Sequence, residues 1–333
     1  MAKGLGFLYS SEDAKEVKAV KKFDVVGTPS VQMNWALCGG LPMGYIIRFM
    51  GQPSAGKTLQ AILAAVEFQK KYSDGVVIFK DFEQSFMAEW ASGLGLDLGK
   101  DRFVLHRDEH NSGASFFDWL IDDVFPGLIE KGLRAFIIVD SVDAMVAPKE
   151  EGRSAGEFEV AAMAAFLPKV LRKCLGKLNE SGSTMLFINQ VRANPGQLYG
   201  NPEGTAGGNA LKHASVLDVH FAAVLKKEEH IFDDAKQRIG HKVRFKIPKN
   251  KIAQPYRGGE YRIVYTRGIV DKNIELAELA KKLNVVERPN NRRYVLGDTT
   301  YDGFDNFAKA LTDEELFESV FKKCMEYEKN QAK

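Results

Sequence analysis

Cysteine is scarce. Cys38, Cys174 and Cys324 are the only three in 333 residues, far apart and without a C-x-x-C pair. That excludes a disulfide framework and a cysteine zinc site, and fits free thiols in a reducing compartment. A surplus of one charge is also missing, since 46 Lys and Arg face 44 Asp and Glu. A protein coated in basic charge is therefore excluded, although a local basic stripe is not. The first 22 residues mix Lys with Glu and Asp and hold no apolar core, so no secretory signal is read there. The uncharged stretch from Val25 to Ile47 contains four Gly and two Pro and is no membrane span. With 45% apolar and 27% charged residues and no repeat or low-complexity segment, the chain is expected to be globular, soluble and cytoplasmic.

What is present is a series of short apolar runs: Tyr45 to Met50 with Arg48 inside, Val76 to Phe79, Ala135 to Val139, and Met185 to Ile188. Unalternating runs of this length read as strands buried on both faces, the mark of a parallel sheet. Helical patterns lie between them. Leu59, Ile62, Leu63 and Val66 form one apolar face, and Phe166, Leu167, Val170, Leu171, Cys174 and Leu178 form another. Pro168 is expected to kink that second helix or mark its effective start. Beyond residue 215 alternation sets in, at Val243, Phe245 and Ile247 and again at Tyr261, Ile263 and Tyr265, predicting antiparallel strands that extend the sheet. The reading is an α/β fold: a core over 25–270 with a mostly parallel central sheet flanked by helices, then a small C-terminal α/β domain over 271–333.

Gly51-Gln52-Pro53-Ser54-Ala55-Gly56-Lys57-Thr58 matches G-x-x-x-x-G-K-[ST], after a strand and before an amphipathic helix. Backbone N–H groups there can turn toward phosphate oxygens, Lys57 can reach the β and γ oxygens, and the Thr58 hydroxyl can ligate Mg²⁺. Asp140, at the end of an apolar run about 80 residues on, is the carboxylate expected to hold the metal and its waters. Hydrolysis also needs a group to orient or deprotonate water. Ser141 stands where many ATPases place a Glu, so the candidate shifts to Glu83 at the neighbouring strand end, with Asp81 as competitor.

Asn189 and Gln190 end another run, and Gln190 is placed to sense a γ-phosphate. Residues 191–208 follow, nine of the 18 being Gly, Pro or Asn, and a loop that long inside a compact domain is usually functional. The segment from Glu150 to Glu159 is a second candidate by position. Between Lys242 and Arg262 seven basic residues face one acid, Glu260, a stripe able to neutralise phosphates, though an outer strand face explains each residue singly.

These pieces in this order resemble the RecA family of ATP-dependent recombinases. The phrases carrying the resemblance are Gly39 to Gly44, Val139-Asp140-Ser141, Phe187 to Arg192, Gly200 to Glu203, Gly207 to Lys212, and Lys249 to Ala253. The resemblance implies that Glu83 is the catalytic glutamate, Gln190 the γ-phosphate sensor, and Trp90 the aromatic stacking on adenine. It implies a first DNA-binding loop over 153–161 with Arg153, and a second over 191–208 with Arg192, Tyr199, Gly207, Gly208, Asn209 and Lys212. Arg172 is a further implied DNA contact. Lys249 and Lys251 would reach ATP held by the adjacent subunit.

The implied function is a DNA-dependent ATPase that uses ATP and Mg²⁺ to form helical filaments on single-stranded DNA, pairs it with homologous duplex and exchanges strands. Its expected location is the cytoplasm, on the nucleoid. Residues 1–24 would be a short N-terminal polymerisation segment, with Phe23, Val25 and Val26 as a docking strand. Ala165 and Met87 depart from the bacterial pattern, and no acidic tail follows Glu326, as expected of a divergent, virus-encoded member. Two rivals stand beside this reading: a hexameric helicase or translocase of the same fold, and a non-catalytic protein using ATP as a switch.

Overall fold

The structure, a computed structural model, describes residues 24–108, 110–146, 155–193, 203–204, 208–290 and 292–331. A short ribbon comes first, with β1 (Val25–Val26) antiparallel to β2 (Leu41–Pro42) around helix α1 (Val31–Ala36). The expected docking residues Val25 and Val26 are thus paired within the chain, and Phe23 lies outside the described residues. The apolar runs then become strands as predicted. They are β3 (Ile46–Gly51), β4 (Val76–Asp81), β5 (Phe103–His106), β6 (Ala135–Asp140) and β7 (Thr184–Gln190). Between them lie helices α2 (Lys57–Lys71), α3 (Ala88–Gly93), α4 (Gly113–Trp119), α5 (Phe125–Lys131) and α6 (Ala155–Ser181). Pro168 sits inside α6 rather than at its start.

After β7 a small ribbon pairs β8 (Arg192–Ala193) with β9 (Glu203–Gly204), and α7 (Gly208–Ala214) leads to β10 (Leu217–Ala223). The chain continues through β11 (His230–Phe232), β12 (Arg238–Asn250), β13 (Gly258–Val264) and β14 (Gly268–Val270). These join the earlier strands in one ten-stranded sheet of order β14-β13-β12-β10-β3-β7-β6-β4-β5, with β11 beside β12. The six strands from β10 to β5 are parallel, and the rest are antiparallel, as the alternation predicted.

Burial explains the uninterrupted apolar runs. Ile47, Phe49, Phe136 and Ile138 join the core on the α2 side, while Ile46, Ala135, Ile137 and Val139 join the core built with α4 to α6. A strand covered on both faces has no wet side to encode. Gly51 shows how tightly the sheet closes, because a Cβ there would lie 2.2 Å from the Phe221 carbonyl oxygen.

The C-terminal residues supply α8 (Lys272–Lys282), the hairpin β15 (Arg293–Leu296) with β16 (Thr299–Asp302), α9 (Phe304–Ala310) and α10 (Glu314–Gln331). Leu276, Leu279, Phe307 and Val320 belong to the same cluster as the α2 side of the sheet. Helix α8 is also fastened by a buried carboxylate. Glu275 Oε1 accepts from the Ser30 hydroxyl and, at 2.8 Å, from the Gln32 backbone N–H. Burial pushes this carboxyl from 4.5 up to about 7, against the pull of those hydrogen bonds.

The sign follows from linkage. From about pH 4.5 to 7 the native state keeps a proton that the unfolded chain has lost, so stability falls as pH rises through that window. Glu275→Gln removes the dependence. Its unfolding free energy is expected to match the parent near pH 4.5 and to exceed it by up to about 3 kcal/mol above pH 7, read from denaturant unfolding at both pH values. A gain independent of pH would contradict this assignment.

Candidate active site

Four strand ends converge on one edge of the sheet, because register sets Gly51 beside Gln190 and Asp81 beside Asp140. From Gly51 the chain turns tightly into α2, with Ser54 and Gly56 at positive φ. The motif thus sits between a strand and the N-terminus of a 15-residue helix, whose free N–H groups and dipole favour an anion. Lys57, 7% exposed, donates from Nζ to the carbonyl oxygens of Gly51 at 3.0 Å and Gln52 at 2.8 Å. Its pKa lies below the ordinary lysine value because burial outweighs the pull of Asp140, Glu83 and Asp143.

Thr58 Oγ1 donates to Asp140 Oδ2 at 2.7 Å. Burial raises the Asp140 carboxyl to about 7, with Glu83 and Asp81 adding to the rise and Thr58 and Lys57 opposing it. A hydroxyl and a carboxylate side by side at a phosphate loop are the hard oxygen donors that Mg²⁺ takes alongside phosphate oxygens and water.

The two carboxylates weighed as base are separated by their surroundings. Asp81 is 1% exposed and receives Arg107 through Nε at 2.9 Å and Nη2 at 2.5 Å, with the backbone N–H groups of Ser85 and Phe86. Its oxygens are taken up in fixing the β4–α3 loop. Glu83 is exposed, and its Oε1 accepts from Ser141 Oγ at 2.5 Å and Gln190 Nε2 at 3.0 Å. Gln190 is anchored in turn, its N–H donating to Asp143 Oδ2 at 2.7 Å. Sequence reasoning missed the holding group Ser141, which replaces the expected Glu and instead grips Glu83 from the next strand.

Trp90 lies on α3 and donates from Nε1 to the Tyr265 carbonyl oxygen at 2.7 Å. The alternation grouped Tyr265 with the buried Tyr261 and Ile263, yet β13 ends at Val264 and Tyr265 is 38% exposed. Ile263 Cδ1 lies 3.5 Å from where a Cβ on Gly56 would stand, so this corner borders the phosphate loop.

Lys249 and Lys251 are elsewhere. Asp218, at the start of β10, pairs with Lys249, whereas Phe221, near its end, pairs with Gly51. The lysines thus occupy the opposite edge of the parallel strands, with Lys249 about 10 Å along β10 from the loop. Lys249 Nζ donates to the carbonyl oxygens of Lys212 and Ser215, and Lys251 Nζ to that of His213 at 3.4 Å, capping the C-terminus of α7.

Of the residues nominated for DNA, Arg172 is exposed on α6, Asn209 and Lys212 are exposed on α7, and Gly208 begins α7. The Arg192 backbone pairs with Gly204. Arg153, Tyr199 and Gly207 lie outside the described residues. The basic stripe is partly neutralised: Arg244 meets Glu260 at 2.6 Å, and two acids from outside the stripe join it, Glu229 at 2.8 Å from Lys242 and Asp271 at 3.4 Å from Arg262.

Comparison with known proteins identifies the family. The family model described as the RecA N-terminal domain matches residues 12–270. The chain belongs to the RecA family. It is 32% identical over 321 residues to Protein RecA of Nostoc sp. (strain PCC 7120), covering 96% of this chain and 84% of that protein. It is 35% identical over 275 residues to Protein RecA of Campylobacter hominis, covering 81% and 74% respectively. All elements of the phosphate site lie within the RecA match, whereas α8 to α10 lie beyond it. No helix among the described residues is long and apolar enough to cross a membrane.

Proposed function

We propose that this RecA-family chain is a recombinase: a DNA-dependent ATPase that assembles on single-stranded DNA, pairs it with homologous duplex and exchanges strands. The observation that carries the proposal is the grip of Ser141 and Gln190 on Glu83, beside Thr58 and Asp140 at the end of the phosphate loop. Glu83 takes a proton from water or orients it, and Gln190 couples that carboxylate to the chain entering the 191–208 segment. Residues 51–58 cradle the phosphates of ATP, Lys57 lies against their charge, and Thr58 with Asp140 holds Mg²⁺. The bound metal supplies charge neutralisation at the phosphates. Trp90 and Tyr265 form the base contact.

Lys249 and Lys251 serve a neighbouring copy. Their place on the far sheet edge supports this, since no side chain spans that distance back to the chain's own loop. ATP would then join copies, and its hydrolysis would loosen them. Among the described residues the last strand of the sheet, β5, has one unpaired edge, a surface to which a strand of another copy can add. The division into a core over 25–270 and a C-terminal domain over 271–333 belongs to the same proposal, as do DNA contacts by Arg153, Arg172, Arg192, Tyr199 and 207–212, and a cytoplasmic location on the nucleoid. Strand exchange tests the reading. Open helical filaments separate it from a ring helicase.

A further inference from the structure

Tyr265 is held at three points. Its N–H donates to the Ile239 carbonyl oxygen at 2.9 Å, its own carbonyl oxygen accepts from Trp90, and its hydroxyl lies 3.2 Å from His241 Nδ1. The first two fix the backbone, while His241 alone among them fixes the ring. His241 stands on β12, 3% exposed, flanked across the sheet by His230 on β11 and Ile263 on β13. Burial, with Arg238 and His230 adding, lowers its pKa to about 4, so the imidazole facing Tyr265 is neutral near pH 7.

His241 is a poor choice for packing alone. Its Nε2 is buried without a hydrogen-bond partner among the described residues, a loss that an apolar side chain at this strand position would avoid. What the imidazole supplies and an apolar residue cannot is the contact with the Tyr265 hydroxyl. That hydroxyl is the free end of an aromatic ring that is otherwise partly exposed. A ring pinned at its hydroxyl, on the residue whose carbonyl holds Trp90, binds a flat base without losing rotamer freedom on binding.

We infer that His241 is a positioning residue for nucleotide recognition: through the Tyr265 hydroxyl it holds the ring that faces the base, while leaving the phosphate contacts untouched. The inference rests on the proposed base contact of Trp90 and Tyr265.

The test is competition binding to the full chain with two probes, ADP and inorganic tripolyphosphate, which carries the charge without a base. His241→Leu is expected to weaken ADP about fivefold and to leave tripolyphosphate within twofold. His241→Asn, whose amide lies near the position of Nδ1, should restore ADP to within twofold of the parent. Tyr265→Phe, which removes the hydroxyl from the other side, should reproduce the selective loss even if the leucine variant folds poorly. Equal weakening of both probes, unchanged ADP binding, or an asparagine variant as weak as the leucine one would overturn the inference. Trp90→Ala separates the two levels: if it leaves ADP binding unchanged, the base contact itself is wrong, whereas a loss there with none at His241 rejects only the positioning role.

Discussion

Lys57→Ala is expected to lower ATP turnover by at least about a hundredfold, the usual loss when a fixed charge aimed at the reacting group is removed. Two effects combine. The ammonium that lies along Gly51 and Gln52 is lost from the phosphate loop, and Asp140 loses a neighbour that lowers its pKa. The loss should be partly recovered by mixing with Lys249→Ala chains, because one variant keeps the loop and the other keeps the far-edge lysine. At equal amounts and random order, roughly a quarter of interfaces would join the two intact halves. Steady-state phosphate release with single-stranded DNA measures both effects, and turnover at the parent rate would contradict the site assignment.

Glu83→Gln is expected to separate binding from hydrolysis. Glutamine keeps an oxygen to accept from Ser141 and Gln190, so the strand-end geometry is preserved, but the amide cannot take a proton. Turnover should fall by about 10² to 10⁴, while ATP-dependent binding to single-stranded DNA persists and its dissociation slows. Parallel measurements of phosphate release and of fluorescence anisotropy on labelled DNA read the two quantities. Turnover surviving in the glutamine variant would move the role of base to another group, and Asp81 is a weak substitute because Arg107 and two backbone N–H groups hold it.

Much of this site was legible in the sequence because its parts lie at strand ends, and strand ends follow short buried runs. Gly51, Asp81, Asp140 and Gln190 each close such a run, and parallel pairing places them on one edge. Glu83 stands ahead of Asp81 in the sequence reading, but what separates them was not legible: two carboxylates two residues apart differ in what faces them, Arg107 and two backbone N–H groups at Asp81, Ser141 and Gln190 at Glu83. Tyr265 was hidden by alternation that continued one residue beyond the strand. The basic stripe misled in the opposite direction, because Glu229 and Asp271, which lie outside 242–262, reach it in the fold. Glu275 gave no sign at all. A carboxylate in an amphipathic helix reads as a solvated position until the fold buries it against Ser30 and Gln32.

The most direct measurement is strand exchange between single-stranded DNA and duplexes of homologous or scrambled sequence at matched salt, with and without ATP and Mg²⁺. Product is expected from the homologous duplex alone and only when ATP and Mg²⁺ are present. Product from both duplexes, or from neither under conditions where the protein binds DNA and turns over ATP, would contradict the proposed function.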